Sequence, residues 1–337
     1  MSLRFREKGG EMKELKVQCK LCPKQCLIES GQSGDCRVRI NVDGVLRTVV
    51  YGYPCSIHID PIEKKPFYHF LPGTKALSLA TVGCNLHCLN CQNWEISQCN
   101  PEQSEAVFCP PEKLVAMAKE YGCASIAYTY TDPIVYYEYT YDTAKLAREA
   151  GIRSVLVTAG YANPGPWKEL LKVVDAATID LKGITEEFYR NICSATLKPI
   201  LDNLVQTKAS GVELEVSNLV IPTLNDKPEE VRELVRWVKA NLGSDTPLHF
   251  LGFVPRYKMR HLPPASAETL DAARQIAIAE GIQCVYTGNI MSRVGQNTYC
   301  PGCNKLLIER SGYTLLLCRV KNGCCPDCGK AVYGVWK

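Results

Sequence analysis

Between residues 76 and 287 the chain alternates short apolar runs with amphipathic helical stretches, and this alternation narrows the fold more than any other feature. The apolar runs predict strands at 76–82, 125–130, 154–158, 176–181, 212–221, 248–254 and 283–287. Strands separated by helices form parallel βαβ units, because a parallel neighbour needs a crossover long enough to return to the same sheet. The clearest helix starts near Lys227, with Asp226 as cap, Glu229 completing a capping box, Val231, Leu234, Val235, Val238 and Leu242 on one face, and Gly243 as its stop. A second runs from Pro111, with Leu114, Ala118 and Tyr121 on its stripe and Gly122 ending it. Six or seven such repeats predict an α/β protein built on a partial or full β/α barrel, with its active site at the C-terminal ends of the strands.

Cysteine is the other outlier, with 19 in 337 residues. A large chain without an export signal uses such numbers for metal ligation rather than for a disulfide framework. Eleven fall into three groups: Cys19, Cys22, Cys26 and Cys36; Cys84, Cys88 and Cys91; and Cys300, Cys303, Cys325 and Cys328. The remaining eight read as small buried hydrophobes, Cys324 least securely because it abuts a ligand. No apolar stretch approaches the about 20 residues that span a bilayer, and residues 1–16 are charged throughout, unlike a signal peptide. The expectation is a cytoplasmic protein. Its 39 basic and 35 acidic residues are scattered without a basic run, so neither nucleic acid nor membrane is an expected partner.

The central group, Gly83-Cys84-Asn85-Leu86-His87-Cys88-Leu89-Asn90-Cys91, directly follows the first predicted barrel strand. A structural zinc site or a plain electron-transfer cluster takes four protein ligands. Three cysteines on a 4Fe-4S cluster leave one iron open to a small molecule. The C-x3-C-x2-C spacing resembles the radical S-adenosylmethionine superfamily. The segment Asp60-Pro61-Ile62-Glu63-Lys64-Lys65-Pro66-Phe67-Tyr68-His69-Phe70 looks like the approach segment of its pyruvate formate-lyase activating enzyme-like branch. The N-terminal cysteines, residues 34–39 and Cys91-Gln92-Asn93-Trp94 are most similar to the radical enzyme of the AmmeMemoRadiSam system.

That resemblance implies a 4Fe-4S cluster on Cys84, Cys88 and Cys91, S-adenosylmethionine on the open iron, and a low-potential electron donor. It also implies reductive cleavage to a 5′-deoxyadenosyl radical that abstracts hydrogen from a small molecule, a peptide or a partner protein. No catalytic side chain beyond the cluster ligands is implied. Where the superfamily often carries Gly-Gly-Glu-Pro, this chain has Tyr130-Thr131-Asp132-Pro133. Asp132 keeps a carboxylate for the ammonium group, but one methylene shorter, so a water-bridged or shifted contact is expected. Thr158, at the end of the third strand, joins the expected cofactor contacts. Asp180 and Lys182 flank Leu181 and share one face of their strand, placing opposite charges at the mouth for ribose hydroxyls and the methionyl carboxylate. His249 matches a position near the ribose or adenine. Asn90 stands where an aromatic residue usually packs on the adenine, so binding with less stacking is expected. Arg256, Tyr257 and Lys258 are available to grip an anionic group.

At the C-terminus, Cys300-Pro301-Gly302-Cys303 and Cys325-Pro326-Asp327-Cys328 are two C-x2-C knuckles at zinc-ribbon spacing, with rubredoxin-like iron as the alternative. Cys19, Cys22, Cys26 and Cys36 supply four thiolates for zinc or a second cluster. Zinc is preferred there, because nothing nearby resembles a ferredoxin run and a β-hairpin about Val42-Asp43-Gly44 suggests a small metal-stabilised module. The expected organisation is an N-terminal cysteine-rich module over 1–72, a barrel over 73–296 and a zinc ribbon over 297–337. The resemblance adds the companion proteins of the AmmeMemoRadiSam system as candidate partners. Competing functions are a radical enzyme on a pathway substrate, a glycyl-radical activase, and a non-catalytic zinc-ribbon binding protein.

Overall fold

The computed structural model describes residues 16–290 and 294–337; residues 1–15, the bulk of the charged N-terminal stretch, lie outside them. Eight strands form one sheet: β1 (Ser56–Pro61), β2 (Lys75–Ala80), β3 (Ser125–Tyr128), β4 (Arg153–Thr158), β5 (Ala176–Asp180), β6 (Glu213–Val220), β7 (Leu248–Gly252) and β8 (Val285–Gly288). They lie in sequence order, parallel from β2 to β8, with β1 antiparallel beside β2. Among the described residues no pairing joins β1 to β8, so the sheet is open. Helices α1 (Pro111–Glu120), α2 (Tyr137–Glu149), α3 (Pro164–Leu171), α4 (Lys198–Ser210), α5 (Pro228–Leu242) and α6 (Ala267–Ala279) provide the crossovers. All seven predicted strands are present. The strand the sequence analysis missed is β1, which draws the sheet back past residue 72 into the stretch assigned to the N-terminal module.

The two faces of the sheet differ for a reason visible in its alternation. Leu77, Leu79, Ile126, Tyr128, Leu156 and Ile179 point outward and are buried under the helices in the main core. The inner face carries Ala76, Ala127 and Ala176, which leave room, and Ile62, Phe67, Phe70 and Leu71 fill it. The segment after β1 therefore enters the sheet and forms the floor beneath its C-terminal ends.

Helix α5 buries the predicted stripe of Val231, Leu234, Val235, Val238 and Leu242, and Gly243 ends it at φ +94°. Its N-terminus differs from expectation. Pro228 opens the helix after Lys227, and Asp226 Oδ1 instead accepts the Thr223 N–H at 2.9 Å, so no capping box forms. Proline suits that first helical position, because the N–H it lacks would have no partner within the helix and its φ is already helical. Tyr121 lies just past α1 and is exposed rather than on the buried stripe.

The N-terminal module pairs Val17–Gln18 with Leu27–Ile28 and forms the expected hairpin between Arg39–Val42 and Val45–Thr48. Asp43 and Gly44 turn it with φ of 51° and 85°, as a two-residue turn with the twist of its strands requires. At the other end Thr298–Tyr299, Leu306–Ser311 and Thr314–Cys318 form a three-stranded antiparallel sheet. This ribbon is fastened to the floor segment. Leu71 N–H donates to Val335 O and Val335 N–H to His69 O, both at 2.7 Å, while His69 Nδ1 meets Tyr333 O at 2.6 Å. Arg310 donates to Tyr68 O at 2.7 Å and lies 4.2 Å from its ring centroid.

Candidate active site

The loop after β2 delivers Cys84, Cys88 and Cys91 to the C-terminal end of the sheet. Gly83 makes its entry possible. Its φ is +85°, and a β-carbon there would stand 2.5 Å from the Cys36 carbonyl oxygen, so the loop lies against the N-terminal module at a spacing only glycine permits.

The three thiols line a recess of about 1310 Å³ that also receives Asp132, Thr158, Asp180 and Lys182 from the ends of β3, β4 and β5. Parallel strands carry their following loops to one end, which is how residues almost a hundred positions apart meet there. Asp132 is buried and fully engaged. Thr158 Oγ1–H reaches both carboxylate oxygens at 3.0 Å, and the N–H groups of Ala159 and Ile134 donate at 2.9 and 3.1 Å. Burial pushes its pKa up, against these donors. Asp132 and Thr158 therefore act first on each other, tying the ends of β3 and β4 together. Lys182 Nζ is 2.6 Å from Asp180 Oδ2, and the Ser217 hydroxyl donates to Oδ1 of the same carboxylate. Burial works against the Lys182 charge, but Asp180 and the nearby Cys88 hold its pKa well above the usual value.

Asn90 is buried, and its Oδ1 has no hydrogen-bond partner. His249 is placed elsewhere. Its Nε2 lies 2.6 Å from Glu215 Oε2, while Glu215 Oε1 accepts the N–H groups of Tyr68 and His69 at 2.7 Å. The histidine thus braces the floor segment, and of the predicted cofactor residues the recess is lined by Asp132, Thr158, Asp180 and Lys182 and by neither Asn90 nor His249. Tyr257 stacks on Trp94 at 5.2 Å and 9°, and Lys258 N–H donates to Leu89 O, so the loop after β7 covers the cysteine loop.

Two features of the recess escaped the sequence analysis. Lys64 and Lys65, from the segment after β1, contribute to its lining. Both pair with Asp60, at 2.8 and 2.7 Å, and burial lowers the Lys65 pKa to about 8 despite this partner. Nothing in their spacing distinguishes them from solvated lysines; only the inward turn of the floor segment does. The second, behind the lining, is Cys193: it is fully buried, and its neighbouring thiol, ahead of burial, is the main reason that the Cys88 pKa is raised.

Among the described residues, the metal-binding side chains whose ligand atoms all lie within 4.8 Å of one another are Cys300, Cys303, Cys325 and Cys328. Cys84, Cys88 and Cys91 stand wider. A tetrahedral ion with Zn–S bonds of about 2.3 Å needs sulfurs about 3.8 Å apart, whereas a cuboidal cluster binds each thiolate to a different iron and holds them farther apart. Donors also face the sulfurs: Ser97 Oγ is 3.3 Å from Cys91 Sγ, and Leu86 N–H donates to Cys84 Sγ at 3.5 Å. Burial raises the Cys84 and Cys91 thiol pKa, so ligation as thiolate releases protons. The residues fit a 4Fe-4S cluster, which Cys84, Cys88 and Cys91 would hold beside the recess they line.

The family model of the Radical SAM superfamily matches residues 78–238, the stretch that carries these cysteines and the strand ends around them. Residues 78–238 thus carry a radical SAM domain. The chain is therefore a radical S-adenosylmethionine enzyme, and its family implies both the 4Fe-4S cluster and S-adenosylmethionine. The uncharacterized protein MJ0808 of Methanocaldococcus jannaschii is 46% identical over 319 residues, covering 94% of this chain and 95% of that one. The pyruvate formate-lyase-activating enzyme of Clostridium pasteurianum is 26% identical over 162 residues, 47% of this chain and 66% of that enzyme. Among solved structures, a radical SAM methyltransferase from Sphaerobacter thermophilus superposes with a TM-score of 0.48 at 17% identity, covering 67% of this chain and 71% of that one.

The C-terminal quartet has the compactness of a single-ion site. Cys300 and Cys328 sulfurs are 3.5 Å apart, and those of Cys303 and Cys325 are 3.8 Å apart. This geometry is compatible with zinc. No helix among the described residues is long and apolar enough to cross a membrane.

Proposed function

We propose that this enzyme binds S-adenosylmethionine in the recess beside Cys84, Cys88 and Cys91, cleaves it reductively, and uses the resulting carbon radical to take hydrogen from a small-molecule or peptide substrate of a pathway. The observation that carries this reading is the convergence of the three widely spaced thiols with Asp132, Asp180 and Lys182 on one recess. When bound, the cluster supplies the single electron that breaks the sulfonium bond to the 5′ carbon.

The chain's own residues provide binding and orientation. Lys182 places a held ammonium toward the methionyl carboxylate, and Asp180 offers acceptors to ribose hydroxyls. Asn90 Oδ1, buried without a partner, accepts from the adenine amino group. Asp132 holds Thr158 and the Ala159 amide in place, so its contribution to the ammonium group is a shifted or water-bridged contact. The Trp94–Tyr257 stack over the cysteine loop limits water. His249 sets the height of the floor through Glu215 and the Tyr68 and His69 amides. A C-terminal zinc ion would stabilise the ribbon that fastens that floor. The pathway reading places the enzyme beside the companion proteins of the AmmeMemoRadiSam system.

A second reading rests on the names of two relatives, a pyruvate formate-lyase-activating enzyme and the 4-hydroxyphenylacetate decarboxylase activating enzyme of Clostridium scatologenes. Under it, the hydrogen comes from a backbone glycine of a partner protein. Incubation of the reduced enzyme and unlabelled S-adenosylmethionine with size-fractionated extract of cells grown on deuterated medium separates the two, because the abstracted atom ends on the 5′ carbon. Deuterium in the 5′-deoxyadenosine formed with the low-molecular-weight or peptide fraction supports the pathway reading; deuterium transferred only from the glycine of one large protein overturns it.

A further inference from the structure

We propose that Cys19, Cys22, Cys26 and Cys36 hold a second 4Fe-4S cluster, through which electrons enter the centre at Cys84, Cys88 and Cys91. The four cysteines line a common recess, together with the apolar side chains of Ile28, Ile134 and Val135. All four are free thiols. They do not have the spacing of a single-ion site: no three of their sulfurs lie mutually within 4.8 Å, although the ribbon quartet of this same chain meets that limit. Four thiolates around a space, rather than around a point, match a cluster in which each sulfur binds its own iron. The walls donate to sulfur as well. Asp35 N–H points at Cys26 Sγ at 3.5 Å, and a β-carbon on Gly34 would sit 3.6 Å from that sulfur, so the backbone approaches the site closely.

The recess adjoins the central site rather than standing apart from it. Asn85, next to Cys84 in the central loop, also lines the N-terminal recess. His87 of the same loop meets Asp35 Oδ2 at 2.8 Å, one residue from Cys36. Gly83 packs on the Cys36 carbonyl. The electron path is short and largely through bonded and hydrogen-bonded atoms. The transfer moves one electron and no proton. A one-electron donor, a reduced flavin or iron-sulfur protein, reduces the second cluster, which returns to its oxidised state as the central cluster is reduced. The role as relay rests on the reading of the central site; the second cluster itself does not.

The test is metal and sulfide analysis of the full chain purified and reconstituted without oxygen, with electron paramagnetic resonance of the reduced protein. The expected result is about eight iron, about eight sulfide and about one zinc per chain. About four iron with about two zinc overturns the proposal. A Cys84→Ala, Cys88→Ala, Cys91→Ala triple variant is expected to stay brown and keep about four iron. A folded but iron-free triple variant overturns it, while loss of iron only at the N-terminal cysteines leaves the central reading intact. Cys22→Ser with Cys26→Ser is expected to lose the other half while keeping its zinc. In the reduced wild-type protein the two cluster signals should broaden one another, and the broadening should vanish in either variant. Two independent, unbroadened signals in the wild type overturn the relay.

Discussion

Tyr130 offers a direct test of how the recess is held. It takes a left-handed conformation, φ +66°, at the position where the family resemblance places a glycine. A side chain there costs about 1 kcal/mol relative to glycine. The offsetting contacts are specific: its hydroxyl donates to Asp60 Oδ2 at 2.6 Å, and the Lys65 ammonium lies 4.3 Å from its ring centroid. A hydrogen bond to a charged group contributes about 1.5–3 kcal/mol, and a cation over an aromatic face about 0.5–2 kcal/mol. Tyr130 is only half-buried, so the lower ends of these ranges apply. Tyr130→Gly gains about 1 kcal/mol of strain relief and loses at least about 2 kcal/mol of contacts, for a net destabilisation of about 1–2 kcal/mol. Tyr130→Phe keeps the strain and the ring, and isolates the hydroxyl at about 1.5 kcal/mol. Urea unfolding of both variants against the wild-type protein, all without oxygen, measures these differences. A Tyr130→Gly protein as stable as wild type would refute the reasoning, because strain would then cancel every contact the residue makes.

Cys84→Ala is expected to remove the iron of the central site and all formation of 5′-deoxyadenosine, with the zinc content unchanged, as read by metal analysis and product chromatography. Lys182→Ala should weaken S-adenosylmethionine binding about tenfold, a loss of about 1.4 kcal/mol, measured by isothermal titration; unchanged affinity would remove Lys182 from the site. Cys325→Ser should release the ribbon's metal and, because Tyr333 and Val335 hold the floor segment, lower the unfolding midpoint of the whole protein rather than of the ribbon alone. Acid should also destabilise the protein through His69, whose pKa burial lowers to about 4. The unfolded chain, with a histidine pKa of about 6.5, takes up that proton first, so stability falls as pH drops from about 6.5 to about 4, by up to about 3 kcal/mol. His69→Gln should flatten this part of the pH profile in urea unfolding, and an unchanged slope would assign the acid sensitivity to other groups.

Much of this was legible in the chain itself. Alternating apolar runs specify parallel strands because each must be covered on both faces, and all seven were read correctly; β1 was missed because its edge position leaves His58 and Ile59 exposed and breaks the apolar run. The C-x3-C-x2-C spacing puts three thiols in one loop because residues close in sequence need no tertiary information to be neighbours. Asp132, Thr158, Asp180 and Lys182 share one recess because strand ends in a parallel sheet meet at one end regardless of detail. Other outcomes depended on the packed structure. The direction taken by the segment after β1 decided that Lys64 and Lys65 face the recess, and the partner offered by Glu215 decided that His249 braces the floor. The distance between sulfurs is likewise invisible in spacing along the chain. Cys300, Cys303, Cys325 and Cys328 close on a point, while Cys84, Cys88 and Cys91, carried by a single loop, line a recess.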